Sequence, residues 1–163
     1  KNTNKTDLFG VDVTANKTQI GVTALDTTIT TLVANSKILV CCQVYGEGST
    51  NDHDFGLSWS RGIGGSFTAF MLADAASNRH RTTATMALGF YNADNNSTAS
   101  STALVPMLDT PNQAAGTAIT YRINFTIGSN ATRYIRGNRT FGDADSAGYE
   151  RGSSWMTVME IAP

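Results

Sequence analysis

Four consecutive residues, Asn51-Asp52-His53-Asp54, form the only compact cluster of metal-type ligands in the sequence. Two carboxylates that flank an imidazole could bind a divalent cation, and His80 is the one other histidine. Consecutive residues rarely all converge on one ion, however, and a polar turn needs only Asn and Asp at these positions. We therefore expect no metal and no other cofactor. Asp52, His53 and Asp54 stay as the candidate ligands should a cation bind.

A catalytic pair of carboxylates is not evident either. Glycoside hydrolysis needs two carboxyl groups about 5–10 Å apart, one of them kept protonated by an apolar setting. Only Glu150 and Glu160 are associated with predicted strands, and we interpret Glu160 as an edge residue or a partner of an arginine. The sequence has no Gly-x-Ser-x-Gly elbow, so we expect that the chain is not an enzyme. Most other acids fall in predicted turns: Asp52, Asp54, Asp74, Asp94, Asp109, Asp143 and Asp145.

The two cysteines, Cys41 and Cys42, are adjacent in an apolar run. Successive strand residues point to opposite faces, so the two thiols should diverge and stay unpaired. We expect buried, inert thiols, because free cysteine commonly packs as a small apolar side chain. A redox or metal role is the alternative.

Charge and hydropathy exclude two classes of partner. The net charge is −1 and the pI is near 6.1, and the basic residues are scattered apart from Arg133, Arg136 and Arg139. We therefore expect no nucleic-acid binding. No apolar run approaches the roughly 20 residues that cross a bilayer, so we expect no membrane insertion.

The elements that must position these residues are strands. Residues 82–91 and 117–127 alternate apolar and polar side chains with a period of two, and about ten such segments are separated by short turns. This pattern predicts an all-β antiparallel sandwich or barrel. We interpret residues 1–18 as an amino-terminal arm or lead-in and residues 19–163 as one domain. Four aromatic residues could stack on sugars if exposed, although core packing is the commoner role: Trp59, Tyr91, Tyr134 and Trp155.

Several segments resemble the carboxy-terminal β domains of phage fibre and virion structural proteins, with the closest resemblance to those of marine and cyanobacterial phages. They are Leu108-Asp109-Thr110-Pro111, Thr120-Tyr121-Arg122-Ile123 and residues 153–161, together with Trp59-Ser60-Arg61. The resemblance implies a β-sandwich of jelly-roll type, similar to tumour-necrosis-factor and complement-type heads. It also implies a trimer exposed on a virion. The absence of disulfide bridges predicts assembly in the reducing cytoplasm of the host.

The resemblance thus predicts a virion structural domain: a fibre, a receptor-binding tip or a capsid decoration. Its partners would be other virion proteins and a host-surface glycan or receptor. The alternative function is a carbohydrate-binding module or a secreted lectin-like domain. We expect any recognition to lie in the loops predicted at residues 46–54, 92–101 and 142–153.

Residues 37–45 are apolar on both faces of the predicted strand. Leu39, Cys41 and Tyr45 form the second face, which in a lone sandwich should be polar. We predict that these three residues form an interface in a homo-oligomer, most simply a trimer. The alternative is that the amino-terminal arm, with Leu8, Phe9 and Val11, folds over this face.

Overall fold

The computed structural model describes residues 1–5, 7, 9–13, 19–49, 55–85, 98–128 and 132–161. Twelve strands and one short 3-10 helix, Thr23–Leu25, occur in these residues. No helix in this part of the chain is long and apolar enough to cross a membrane. The strands are β1 Asn2–Lys5, β2 Phe9–Val13, β3 Ile20–Gly21, β4 Thr27–Thr30, β5 Lys37–Gly48, β6 Phe55–Ile63, β7 Ser66–Phe70, β8 Ala84–Thr85, β9 Ser100–Asp109, β10 Ala118–Ile127, β11 Arg133–Gly137 and β12 Ser154–Ile161.

These strands form two antiparallel sheets. In sheet A, β5 lies between β9 on one side and β12 on the other, and β1 pairs with the far side of β12. β11 pairs with the last residues of β5, and β2 pairs with β11. In sheet B, β10 lies between β6 and the short strands β3 and β4, and β7 and β8 pair with β6. The chain passes from one sheet to the other after β2, β4, β5, β8, β9 and β10, and the predicted all-β jelly-roll sandwich is confirmed.

The core follows from the alternation in the longest strands. Buried side chains from β5 and β12 in sheet A face those from β6 and β10 in sheet B. In β10 one face carries Ile119, Tyr121, Ile123, Phe125 and Ile127, all fully buried. The other face is polar as predicted, yet its Asn124 and Thr126 are also buried. His80 hydrogen-bonds to the Thr126 hydroxyl at 2.8 Å, so the connection after β7 covers part of this face.

Two predicted boundaries are wrong. The β-branched residues of the segment 20–25 predict one strand, but the segment forms the two-residue strand Ile20–Gly21 and a 3-10 turn that buries Leu25. The loop predicted at residues 46–54 starts later, because Gly46–Gly48 continue β5 and pair with β11. Small residues look like a loop in sequence, but here they let two strands approach closely. Residues 86–91 of the predicted strand 82–91, and residues 92–97, lie outside the described residues.

The amino-terminal segment extends sheet A at its edges. β1 pairs with β12, and β2 pairs with β11, so both lie in the plane of the sheet. Phe9 packs against the buried core. The described strands of residues 1–18 therefore lie in the plane of sheet A, separated from β5 by β12 or β11, and not over Leu39 and Cys41. Leu8 and the side chain of Val11 lie outside the described residues.

Candidate interaction surface

The predicted metal candidates are not part of the described structure. Asp52, His53 and Asp54 lie outside it, so their role stays a prediction. Within the described ranges, no group of three or more His, Cys, Asp or Glu residues is placed to hold a metal ion.

A buried ion pair joins the two sheets at one end of the sandwich. Asp109 was predicted to lie in a turn, but it is the last residue of β9 and is only 7% exposed. Arg61 of β6 donates from Nη1 to both carboxylate oxygens, at 2.7 and 2.8 Å. The hydroxyl of Tyr121 in β10 donates to Oδ2 at 2.7 Å. The turn after β9 therefore begins at Thr110, one residue later than the sequence pattern predicts.

These hydrogen bonds join β9 to β6 and β10, and both carboxylate oxygens of Asp109 have a donor. Burial, and next its bond to Asp109, raise the pKa of Tyr121 above the usual range, so the phenol stays protonated and donates. The side chain of Arg61 is 25% exposed and also lies 5.8 Å from the Phe70 ring. We interpret the cluster as the attachment of β9 to sheet B.

The carboxylate of Glu160 binds two backbone N–H groups and a serine hydroxyl. The prediction that it pairs with an arginine is wrong. Its carboxylate accepts hydrogen bonds from Ser36 Oγ at 2.6 Å, from Leu32 N at 2.9 Å and from Val33 N at 3.0 Å. These donors lie in the turn between β4 and β5, more than 120 residues away in sequence. The charged form is favoured by these bonds, so the pKa of Glu160 lies below its ordinary value, with the Ser36 bond as the main cause.

We predict that Glu160→Gln destabilises the protein more at neutral than at acidic pH. A lowered folded pKa gives stability that is present above the ordinary value of 4.5 and is lost as the pH falls through the folded pKa. The gap between wild-type and variant urea midpoints should therefore be larger at pH 7 than well below 4.5. Asp74→Asn, which changes an exposed carboxylate on another loop, is the control. An equal gap at both pH values would contradict this interpretation.

The two thiols are unpaired, as predicted, but only one is buried. Cys42 faces the core and its pKa is raised strongly, mainly by burial, so this thiol is inert. Cys41 lies on the opposite face of β5 and is half-buried, with its sulfur 3.9 Å from the carbonyl oxygen of Thr157. The expectation of two buried thiols is wrong for Cys41.

The outer face of sheet A carries exposed apolar side chains around Leu39. Met159 of β12 and Leu108 of β9 stand directly opposite Leu39, and they are 52% and 45% exposed. The register shifts beside Cys41, where Val105 and Pro106 form a bulge in β9, and Val105 is 69% exposed. We call this set, completed by Ile161, the apolar patch: Leu39, Cys41, Val105, Leu108, Met159 and Ile161. Contiguous apolar surface of this kind marks interaction sites.

Tyr45, the third predicted interface residue, lies apart from the apolar patch. A Cβ atom on Gly152 would lie 2.6 Å from the Tyr45 ring, so the ring packs directly on the backbone of the loop before β12. The chain's own loop therefore covers Tyr45. The sequence missed Val105, Leu108, Met159 and Ile161, because their strands meet β5 only through long-range pairing.

The four aromatic residues differ in exposure. Trp59 is fully buried, Trp155 is half-buried, and Tyr134 is 37% exposed. Tyr91 lies outside the described residues. Tyr134 thus has the largest exposed fraction among the described residues of this set, which suits a stacking role.

The fold defines the chain as an antiparallel jelly-roll sandwich. Two solved chains that it is similar to come from the structures of infectious bursal disease virus, Gx strain and Gt strain. The TM-scores are 0.43 and 0.42, at 12% and 13% identity, over 99% of this chain and 36% of each of those chains. No protein-family model matches the sequence, and no curated protein matches it.

Proposed function

We propose that this chain is a structural domain of a bacteriophage particle and assembles as a homotrimer through the apolar patch. The patch is the observation that carries the proposal. Its members come from β5, β9 and β12, so it is a continuous surface and not a scatter of single apolar residues. The sequence resemblance to virion β domains supports the same assignment, with fibre, receptor-binding tip and capsid decoration as the particular roles.

Burial of this surface explains why β5 is apolar on both faces. One face packs on the sandwich core, and the other needs a second cover. The described part of the amino-terminal segment lies at the sheet edges. A second copy offers the same apolar surface, and a closed ring of copies buries it without forming an open chain.

The first test is the mass in solution. Light scattering after size exclusion should give three times the 17.3 kDa of one chain. Met159→Glu should reduce the mass to that of one chain, because it places a charge in the apolar patch. Met71→Glu, which changes an exposed methionine after β7, should keep the trimer. A wild-type mass of one chain at every concentration would refute the trimer.

The second test uses Cys41 as a reporter of the same surface. Of the two thiols, only Cys41 is accessible in a single chain, because Cys42 is fully buried. Labelling with an aromatic disulfide reagent should be slow for the wild-type assembly and should become fast for Met159→Glu. Cys41→Ser should abolish the fast phase. Fast labelling of Cys41 in the wild-type protein would show that the apolar patch is open.

The virion role is tested separately from assembly. Gradient-purified particles from the source of this sequence should contain its peptides in stoichiometric amount. Their absence from intact particles would refute the virion assignment, whatever the oligomeric state.

A further inference from the structure

Arg136 is held differently from the arginines that form ion pairs. Arg61 binds Asp109, Arg122 binds Asp26, and Arg139 and Arg151 both bind Asp143. In the described part of the chain, Arg136 has no carboxylate partner. Its guanidinium carbon lies 5.4 Å from the ring centroid of Tyr134 and 5.4 Å from that of Phe141. The two rings hold the charge in place through cation–π contact, and none of the described residues supplies an acceptor for its N–H donors.

The nearest cross-strand carboxylate, that of Glu47, accepts a hydrogen bond from a backbone N–H group. Glu47 of β5 is the direct cross-strand neighbour of Arg136, a position from which opposite charges commonly pair. Its Oε2 instead accepts a hydrogen bond from the backbone N–H of Phe141 at 2.6 Å. Glu47 therefore fixes the backbone of the residue whose ring flanks the guanidinium.

Backbone contacts from β2 and from the end of β5 position Arg136 and Tyr134. Ser49 fixes the backbone of Tyr134, because its Oγ accepts from Tyr134 N at 3.1 Å and its N–H donates to Tyr134 O at 2.8 Å. Gly10 lies under the guanidinium, since a Cβ atom there would be 2.6 Å from Arg136 Nη1. The sheet thus carries a cation on a flat backbone surface, flanked by two aromatic rings.

We propose that Arg136 and Tyr134 bind a carboxylate-bearing saccharide. A guanidinium with free N–H donors takes a carboxylate through two parallel hydrogen bonds. The exposed ring of Tyr134 offers an apolar plane beside it, which suits the C–H face of a pyranose ring. An acidic sugar presents both features on one unit, whereas an acidic peptide side chain presents only the carboxylate.

This site is separate from the apolar patch. Arg136 stands beside Glu47 and the patch surrounds Leu39, eight residues earlier in β5, which places them about 26 Å apart along the strand. The loop that carries Gly152 lies over Tyr45, between the two. The saccharide proposal therefore does not depend on the trimer, and the two can fail independently.

The test is calorimetric titration with trigalacturonate, with a neutral galactose trisaccharide as the matched ligand. The acidic trisaccharide should bind and the neutral one should bind at least about tenfold more weakly. Arg136→Gln should weaken trigalacturonate binding about tenfold or more, and Tyr134→Ala should weaken both ligands. Arg151→Gln removes a more exposed arginine, 59% exposed, and should leave binding unchanged.

Three results would overturn the proposal. Equal binding of the acidic and neutral trisaccharides would remove the role of the charge. If Arg136→Gln bound trigalacturonate as tightly as the wild-type protein and had the wild-type circular dichroism spectrum, Arg136 would have no role in binding. Binding of triglutamate as tightly as trigalacturonate, with the same loss in Arg136→Gln, would reject a saccharide in favour of an acidic peptide.

Discussion

Asp109→Asn is expected to lower the free energy of unfolding by about 3 kcal/mol. Breaking a buried ion pair costs about 3–5 kcal/mol, because the remaining charge is left without its partner. Partial exposure of Arg61 places the expected loss at the lower end of that range. Asparagine keeps the size of the side chain and one acceptor oxygen, so the loss reports the charge. Urea unfolding followed by the fluorescence of the buried Trp59 measures it.

Asp145→Asn is the matched control for this variant. Asp145 is exposed in the loop before β12, and its replacement should change the unfolding free energy by less than about 0.5 kcal/mol. Arg61→Gln and the double variant complete a mutant cycle, in which the pair should show coupling of at least about 1 kcal/mol. Additive losses would mean that the ion pair does not join β9 to sheet B.

Gly46→Ala is expected to destabilise the fold by about 2–3 kcal/mol. An added Cβ atom would overlap the backbone oxygen of Arg136, and backbone in a paired ladder cannot move away without loss of hydrogen bonds. The strain would fall where β11 meets β5. Thermal and urea unfolding should both report it.

Gly148→Ala provides the comparison for a change of the same chemistry. No atom lies within 4 Å of the Cβ position at Gly148, and this residue is exposed in the loop before β12. The stability of this variant should stay within about 0.5 kcal/mol of wild type. Equal effects at the two positions would show that alanine acts through the unfolded chain and not through the contact with Arg136.

Local pattern predicted the strands well where one face is apolar. β10 begins one residue later than the predicted segment 117–127, because its side chains alternate without interruption. The pattern failed where small or polar residues continue a strand, as at Gly46–Gly48. It also placed Asp109 in a turn, because proline and asparagine follow closely and dominate the local signal.

The exposed apolar patch was predicted in part. Leu39 and Cys41 were found because β5 is apolar on both faces, a local property. Met159 and Leu108 were missed as members of the apolar patch, because only strand pairing places them beside Leu39. The partners of Glu160 and the ring contacts of Arg136 were invisible for the same reason. Periodicity shows which face a residue occupies and does not show which distant strand lies next to it.

The central position of β12 has a consequence for biosynthesis. β12 lies between β1 and β5 and supplies Met156 and Val158 to the core. Sheet A therefore has a gap until residues 154–161 have left the ribosome, and β1 has no strand to pair with before then. Because nascent chains emerge at about 5–20 residues per second, the earlier strands must wait with apolar surface exposed. We expect completion of this jelly roll to wait for the synthesis of β12 and holdase chaperones to be important for its yield.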